Sequence, residues 1–208
     1  MSLDLWLSFT IATIALVALP GPTVMIVVSF ALGRGRQTAW ATVPGVVLGD
    51  FVAMTVSLLG AGAVLAASAT LFTILKLVGA AYLFWLGFQL WRSPAGIPEA
   101  KASKDTGESR KMFLKTFTVT ALNPKGIIFF VAFVPQFVDL AEPVFIQFAI
   151  LEVTFVSLAA FNALLWALLA NKLRNRIKSP KTQSIVSRIS GSCLMAAGFL
   201  TAVIRRTA

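Results

Sequence analysis

The stretch TALNPKGIIFFVAFVPQF, residues 120–137, contains one charged side chain, Lys125, in a run that is otherwise uncharged from Thr116 to Val138. A run of this length and apolarity can cross the hydrocarbon core of a membrane, for which about 20 residues are needed. If it does, the ammonium group lies deep in the membrane, directly after the helix-breaking pair Asn123-Pro124. The fold therefore depends on whether the rest of the chain also has the character of a membrane protein.

The composition of the whole chain predicts a polytopic membrane protein. Of the 208 residues, 58% are hydrophobic and 12% are charged, with a mean hydropathy of +0.86, whereas soluble domains carry roughly 25% charged residues. Charge-poor runs of sufficient length predict six membrane helices, at residues 5–32, 40–66, 71–91, 113–138, 143–170 and 185–204. We therefore expect an all-α fold in one transmembrane domain, residues 1–208. The first run is interpreted as a span rather than a secretory signal, because Asp4 replaces the basic start of a signal peptide.

Basic residues are concentrated in alternate connections between the predicted spans. The odd-numbered connections carry Arg34, Arg36, Arg92, Lys101, Lys104, Arg110, Lys111, Lys115, Lys172, Arg174, Arg176, Lys178 and Lys181. The second and fourth connections, AASATLF and VDLAEP, carry none. By the positive-inside rule, this alternation predicts that the odd connections are cytoplasmic and that both termini lie outside, although Arg205 and Arg206 do not fit. The net charge of +10 is thus explained by topology and lipid headgroups, and nucleic acid is not a predicted partner.

The sequence lacks the residue combinations that most enzymes need for catalysis. Histidine is absent and Cys193 is the single cysteine, so we predict no internal disulfide, metal site or cofactor. An enzyme would need a nucleophile with a base or a metal cluster, and neither is visible. A channel or a passive membrane scaffold is harder to distinguish from a transporter by sequence and stays open as an alternative.

The two halves of the chain resemble each other. Ala18-Leu19-Pro20 corresponds to Ala121-Leu122-Asn123-Pro124, and Asp50 corresponds to Glu152. Lys76-Leu77-Val78-Gly79 corresponds to Arg188-Ile189-Ser190-Gly191, and Gly87-Phe88 to Gly198-Phe199. The halves, about 1–92 and 113–208, each contain three predicted spans and are joined by a basic loop at about 92–112. Repeats with an odd number of spans have opposite orientations, which predicts the inverted-repeat plan of many secondary transporters.

Helix-breaking residues occur at corresponding positions in the first and fourth spans. Residues 5–32 would form a straight helix of about 42 Å at 1.5 Å per residue, whereas the hydrocarbon core is about 30 Å thick. Pro20-Gly21-Pro22 and Asn123-Pro124-Lys125-Gly126 are the expected breaks. Free backbone groups at membrane depth are tolerated where they line a cavity, so paired breaks point to a central substrate site. Prolines that merely kink packed helices are the alternative explanation.

Three ionisable residues fall deep within predicted spans: Asp50, Lys125 and Glu152. Each is costly in lipid unless it faces a cavity or a partner, so each is a candidate functional residue. A structural ion pair between Asp50 and Lys125 is the alternative, and it is compatible with function if the substrate breaks the pair.

Three blocks resemble those of a known family: LPGPTVMIVVSFALGRGRQTAWATVPGVVLGD, LKLVGAAYLFWLGFQLWRS and FLKTFTVTALNPKGIIFFVAFVPQFV. They are similar to the signature blocks of the LysE/RhtB (lysine exporter/homoserine-threonine resistance) family of bacterial inner-membrane amino-acid exporters. The resemblance covers essentially the whole chain. It implies a six-span exporter of the inner membrane that moves amino acids or close derivatives out of the cytoplasm, driven by the proton gradient. Carried over by position, its motif residues are Pro20, Gly21, Pro22, Asp50, Asn123, Pro124 and Lys125.

An amino acid has one anionic and one cationic end, which predicts which of these residues bind each end. Helix N-termini after the breaks, together with Lys125, suit the carboxylate. Asp50, with Glu152 added from the internal repeat, suits the ammonium group and could carry the coupling proton. The sequence leaves open whether Lys125 binds substrate or only pairs with Asp50, and whether glycine-bearing helix faces form a homodimer.

Overall fold

The computed structural model describes residues 1–18, 21–92, 109–139, 141–177 and 179–203. Within these ranges the chain forms eight α-helices and no β-strand, which confirms the predicted all-α fold. The helices are α1 Leu3–Ala18, α2 Pro22–Arg34, α3 Ala39–Ala67, α4 Ala69–Arg92, α5 Ser109–Ala121, α6 Pro124–Ile128, α7 Val144–Ile177 and α8 Pro180–Val203. Shorter turns are of 3-10 type at Arg36–Thr38 and Val134–Phe137, and of π type at Phe129–Phe133.

Both predicted helix breaks are present. Helix α1 ends at Ala18 and α2 begins at Pro22, and the two helices are bent by 49°. Helix α5 ends at Ala121, and the segment Pro124–Phe137 continues at 41° to it. In each case a proline occupies the first turn of the new helix, where its missing N–H would have had no partner in any case.

Length and composition identify the chain as a multi-pass membrane protein. Three helical segments are long and apolar enough to span a membrane: Arg36–Ala67, Ala69–Arg92 and Val144–Ala170. Counting each bent pair as one broken span raises the total within the described ranges to five. The sixth predicted span, 185–204, falls on the shorter apolar segment Ser187–Val203 of α8. Six spans therefore remain a prediction.

Glycines let the backbones of α3 and α5 approach closely. A Cβ atom built on Gly49 would lie 2.8 Å from Thr120 Cβ and 2.9 Å from the Phe117 carbonyl oxygen. One built on Gly45 would lie 2.9 Å from the Phe113 carbonyl oxygen. These distances leave no room for a side chain, so the two glycines fix α3 against α5 and thereby hold Asp50 next to the second break.

Helices α4 and α8 cross in the same way. A Cβ on Gly87 would lie 2.6 Å from the Gly191 carbonyl oxygen, and one on Gly191 would lie 2.4 Å from that of Gly87. A Cβ on Gly198 would lie 2.6 Å from the Ala80 carbonyl oxygen, so the two helices run antiparallel. These glycine faces are used within one chain and lend no support to the homodimer, which stays a prediction.

A cluster of phenylalanines fills the space between the second break and the connection after it. Phe130 meets the Phe155 ring edge-on at 4.7 Å between centroids, and Phe129 lies 4.8 Å from Phe133. Phe137 continues the cluster at 5.0 Å from Phe133. All five side chains are buried. The cluster closes off one side of the region where the two breaks meet, because Phe155 also lines the cavity found there.

Candidate functional site

The two helix breaks are in direct contact in the interior of the protein. The Asn123 amide Nδ2 donates a hydrogen bond to Thr23 Oγ1 at 3.3 Å. Lys125 Nζ donates one to the Leu16 carbonyl oxygen at 3.2 Å. Asn123 and Lys125 belong to the second break, and Leu16 and Thr23 flank the first. Residues about a hundred positions apart thus come together at one place in the fold.

A cavity of about 40 Å³ lies at this junction. Its polar lining comes from Thr23, Asp50, Asn123, Lys125 and Asn162, and its apolar lining includes Val24, Val27, Val46, Phe155 and Ala159. A water molecule needs about 10–15 Å³ by this kind of measure, so the cavity has room for a few waters. Pockets that bind small organic ligands measure roughly 300–1,000 Å³. The cavity is therefore smaller than a pocket that holds a small organic ligand.

The residues predicted for the site fall into three groups. Four of them line the cavity: Gly21, Asp50, Asn123 and Lys125. Pro22 and Pro124 begin α2 and α6, where they shape the breaks without lining the cavity. Pro20 lies outside the described residues.

Glu152 is not brought into the cavity. It lies on α7 one helical turn before Phe155, which does line the wall. Its Oε1 accepts a hydrogen bond from the Thr55 hydroxyl of α3 at 2.5 Å. Glu152 therefore joins α3 to α7 next to the cavity rather than within it.

The C-terminal end of α1 presents carbonyl groups to the cavity. The last four carbonyls of a helix have no partner within it. Lys125 Nζ donates to the Leu16 carbonyl, and Asn162 Nδ2 donates to the Val17 carbonyl at 2.8 Å. This end of the helix also carries a partial negative charge, so it favours cationic and hydrogen-bond-donating groups.

The N-terminal end of α2 presents N–H groups to the same cavity. Gly21 is the N-cap, and because it has no side chain it makes no side-chain capping bond. The first backbone bond of the helix runs from Met25 N to Gly21 O at 2.9 Å. The N–H groups of Thr23 and Val24 are thus without helical partners at the positive end of α2. In α6, by contrast, Asn123 Oδ1 caps the Lys125 N–H at 3.2 Å.

Asp50 and Lys125 bring opposite charges to the cavity. Both line it, from α3 and α6 respectively, and their side chains interact electrostatically. A Cβ atom on Gly21 would lie 3.3 Å from Lys125 Nζ, so the lysine also contacts the first break. The ammonium group therefore bonds to the carbonyl end of α1 and interacts electrostatically with Asp50.

Two polar residues of the cavity were not predicted from the sequence. Thr23 adjoins the first break, and Asn162 lies within the uncharged run 143–170 apart from Glu152. Neither residue is ionisable or a helix breaker, which are the features that mark Asp50, Lys125 and the two breaks in the sequence. An amide within an apolar span is the signal that could have identified Asn162, because its polar atoms need partners at membrane depth.

Comparison with known proteins reveals relatives along the full length of the chain. It is 30% identical over 205 residues to the uncharacterized membrane protein of Vibrio cholerae serotype O1, covering 99% of this chain and 100% of that protein. It is also 30% identical to the homoserine/homoserine lactone efflux protein of Salmonella typhi, covering 99% of each. The leucine efflux protein of Enterobacter sp. (strain 638) is 29% identical over 67% of this chain and 65% of its own length. No solved structure matches the chain.

The sequence pattern of a protein family agrees with these relatives. The pattern described as LysE type translocator matches residues 14–204, which include both breaks, Asp50 and every residue lining the cavity. The match extends over most of the chain and coincides with full-length similarity to an efflux protein. The chain therefore belongs to the LysE type translocator family and is a bacterial membrane transporter rather than an enzyme.

Proposed function

We propose that this transporter exports amino acids from the cytoplasm across the bacterial inner membrane in exchange for protons. The observation that carries the proposal is the meeting of opposite charges and opposite helix ends at one cavity. The carbonyl end of α1, the N–H end of α2, Asp50 and Lys125 all contribute to it. A zwitterion, with an anionic and a cationic end a few ångströms apart, is the small solute that fits this arrangement.

The substrate carboxylate binds at the N-terminal end of α2. The N–H groups of Thr23 and Val24 lack helical partners there, and the helix dipole favours an anion. Lys125, which already contacts the backbone of Gly21, adds a full positive charge at the same end. Charge-assisted hydrogen bonds of this kind are roughly twice as strong as neutral ones.

The substrate ammonium group replaces that of Lys125. In this small cavity Lys125 Nζ serves both the Leu16 carbonyl and Asp50. When a carboxylate draws Lys125 toward α2, these acceptors need a new cation, and the substrate supplies one. The ion pair predicted as an alternative to substrate binding is thus the resting state of the binding site.

The cavity widens during transport. At about 40 Å³ it is too small for an amino acid, so substrate entry requires α1–α2 and the second break to separate. The phenylalanine cluster between the second break and the fourth connection closes one side of the site. We assign this side to the periplasm, because the fourth connection lacks Lys and Arg.

Two inverted repeats, residues 1–92 and 113–208, provide the alternating access. Their helix ends correspond: α1 and α5 stop at Ala18 and Ala121, and α2 and α6 start at Pro22 and Pro124. Helix α3 packs on α5 as α7 packs on α1, and the antiparallel pair α4 and α8 lies between equivalent elements. These correspondences support six spans, counting α8, with both termini in the periplasm.

Asp50 carries the coupling proton. When the substrate ammonium leaves and Lys125 has not yet returned, the carboxylate takes up a proton rather than remain unpaired at membrane depth. Glu152, its counterpart in the repeat, lies on the facing helix α7 next to the cavity wall and serves as the second proton-coupling residue. The relatives named for homoserine and leucine efflux support an amino acid with an uncharged side chain as substrate.

Exchange in proteoliposomes tests the proposal. Vesicles containing the protein and unlabelled leucine or homoserine should accumulate the same labelled amino acid from outside, and a pH gradient should drive net transport. A channel, the alternative function, would show no stimulation by unlabelled amino acid on the opposite side.

The Asp50→Asn variant tests the coupling role. We expect it to bind substrate more weakly, to retain exchange at saturating substrate and to lose transport driven by the pH gradient. Glu142→Gln is the matched control, because Glu142 is an exposed carboxylate in the connection before α7. Unchanged pH-driven transport in Asp50→Asn would refute a role for Asp50 in coupling.

A further inference from the structure

Asn162 is the polar residue of the cavity that neither the sequence motifs nor the internal repeat accounts for. It lies on α7 and lines the cavity together with Asp50 and Lys125. A neutral amide at membrane depth is costly unless its donors and acceptors are used. Asn162 makes a single hydrogen bond within the described structure, so some of its donors and acceptors remain available to a ligand.

The hydrogen bond to α1 fixes how the amide is oriented. Nδ2 of Asn162 donates to the Val17 carbonyl oxygen at 2.8 Å. A carbonyl oxygen is only an acceptor, so the NH₂ group must face Val17 and Oδ1 must face away from it. Within the part of the chain that the structure describes, Oδ1 has no hydrogen-bond partner. The amide of this cavity-lining residue therefore has an oriented acceptor that no described residue uses.

The surroundings of this acceptor are electronegative. Asn162 is bonded to the C-terminal end of α1, where unpaired carbonyls carry a partial negative charge. Asp50 lines the same cavity, and the neighbouring Leu16 carbonyl already binds an ammonium group, that of Lys125. An acceptor in such a place suits a cationic N–H donor.

We propose that Asn162 Oδ1 binds the ammonium group of the transported amino acid and that its neutral amide restricts the site to amino acids with uncharged side chains. This inference rests on the proposed function. Asp50 and Lys125 contribute opposite charges to the cavity, so a substrate of zero net charge leaves the site neutral. Lysine or arginine would bring one positive charge, and the residues that line the cavity offer no second carboxylate to balance it.

A purely structural role for Asn162 can be separated from binding because the protein contains a similar link elsewhere. Trp6 Nε1 of α1 donates to Thr154 Oγ1 of α7 at 3.1 Å, and Thr154 does not line the cavity. Thr154→Val thus removes an α1–α7 hydrogen bond away from the site and is the matched control for Asn162→Leu.

Equilibrium binding to the purified protein is the decisive measurement. The ligands are L-leucine and 4-methylpentanoate, which is leucine without its amino group. We expect Asn162→Leu to weaken leucine binding on the order of tenfold and to leave 4-methylpentanoate binding unchanged. Thr154→Val should bind both ligands like the wild type. Equal weakening of both ligands in Asn162→Leu, or no weakening, would overturn the proposal.

The Asn162→Asp variant tests the restriction to uncharged side chains. It places a second carboxylate in the cavity, so the ratio of lysine to leucine affinity should rise at least tenfold over that of the wild type. An unchanged ratio would overturn this part of the inference. If the wild-type protein binds neither leucine nor homoserine, the proposed function itself fails, and the role of Asn162 fails with it.

Discussion

Gly21 determines how closely the Lys125 side chain approaches the first helix break. A Cβ atom at Gly21 would lie 3.3 Å from Lys125 Nζ and 3.6 Å from Cε. The backbone at Gly21 has φ −118°, which other residues adopt readily. Gly21→Ala therefore perturbs the lysine and not the backbone.

We expect Gly21→Ala to displace Lys125 toward the cavity and to slow amino-acid exchange several-fold. The melting temperature in detergent should stay within a few degrees of the wild type, because the end of a flexible side chain can move to accommodate one methyl group. Gly62→Ala is the control, since the Phe148 ring at 3.9 Å is the nearest neighbour of a Cβ there. Wild-type exchange rates in Gly21→Ala would argue against Lys125 as a substrate-binding residue.

The candidate functional residues that the sequence predicted are those that are plainly costly to bury in a membrane. Asp50 and Lys125 are charges inside apolar runs, and both line the cavity. Asn162 and Thr23 carry no charge, and short polar side chains in helices commonly bond to their own backbone. Thr42, for instance, does this at 3.0 Å to the Thr38 carbonyl. Only the tertiary arrangement separates such residues from those that serve the site.

At the level of helices, the crossing of α4 and α8 depends on the absence of side chains. A Cβ on Gly191 would lie 2.4 Å from the Gly87 carbonyl oxygen and 2.7 Å from Trp91 N. Both are backbone atoms, which cannot move away without shifting a whole helix. Gly191→Ala should therefore lower the free energy of unfolding by about 1–3 kcal/mol, the usual cost of overpacking.

Gly60→Ala is the matched control for this prediction. No atom lies within 4 Å of a Cβ built at Gly60, which is also within a helix. Alanine there should be neutral or stabilising by roughly 0.5–1 kcal/mol, because it forms helix better than glycine. Thermal or denaturant unfolding in detergent measures both variants. Equal stability of Gly191→Ala and the wild type would contradict the prediction. It would mean that the distance between α4 and α8 is large enough to accept a methyl group.

Some helix boundaries could be predicted and others could not. Proline disrupts a helix through its own ring and missing N–H, so Pro22 and Pro124 marked the breaks from the sequence. The π-helical turn Phe129–Phe133 has no such local cause. The turn brings phenylalanines into the buried cluster. Its Ala132 carbonyl oxygen accepts a hydrogen bond from Gln136 Nε2 at 2.7 Å. Because this turn depends on packing between distant segments, it emerges only from the folded structure.

At the level of the whole molecule, the membrane environment made the fold class predictable. Backbone groups in lipid must be satisfied within the protein, so long apolar runs fold as helices. Which helices pack against each other is harder to predict from the sequence, because glycines and small residues occur on several faces of these spans. The direct contact between the two breaks, through Asn123 to Thr23 and Lys125 to Leu16, is a tertiary result that the internal repeat anticipated in position but not in atomic detail.

The orientation of the whole protein yields the last prediction. Gln37 is exposed in the first connection, directly after Arg34 and Arg36. Thr70 is exposed in the second connection, which has no basic residue. Basic connections are retained in the cytoplasm. In a Cys193→Ser background, which removes the single native thiol, Thr70→Cys should react with a membrane-impermeant maleimide in intact spheroplasts. Gln37→Cys should react only after permeabilisation.

The reverse pattern of labelling would mean that the protein is inserted in the opposite orientation. The phenylalanine cluster would then lie on the cytoplasmic side of the cavity. The binding chemistry would be unaffected, because the cavity lies at the junction of the two breaks whichever way the protein is inserted. The assignment of the closed side would change, however, since it rests on the fourth connection facing the periplasm. Labelling of both variants from outside would indicate insertion in two orientations, which the charge difference between the first two connections argues against.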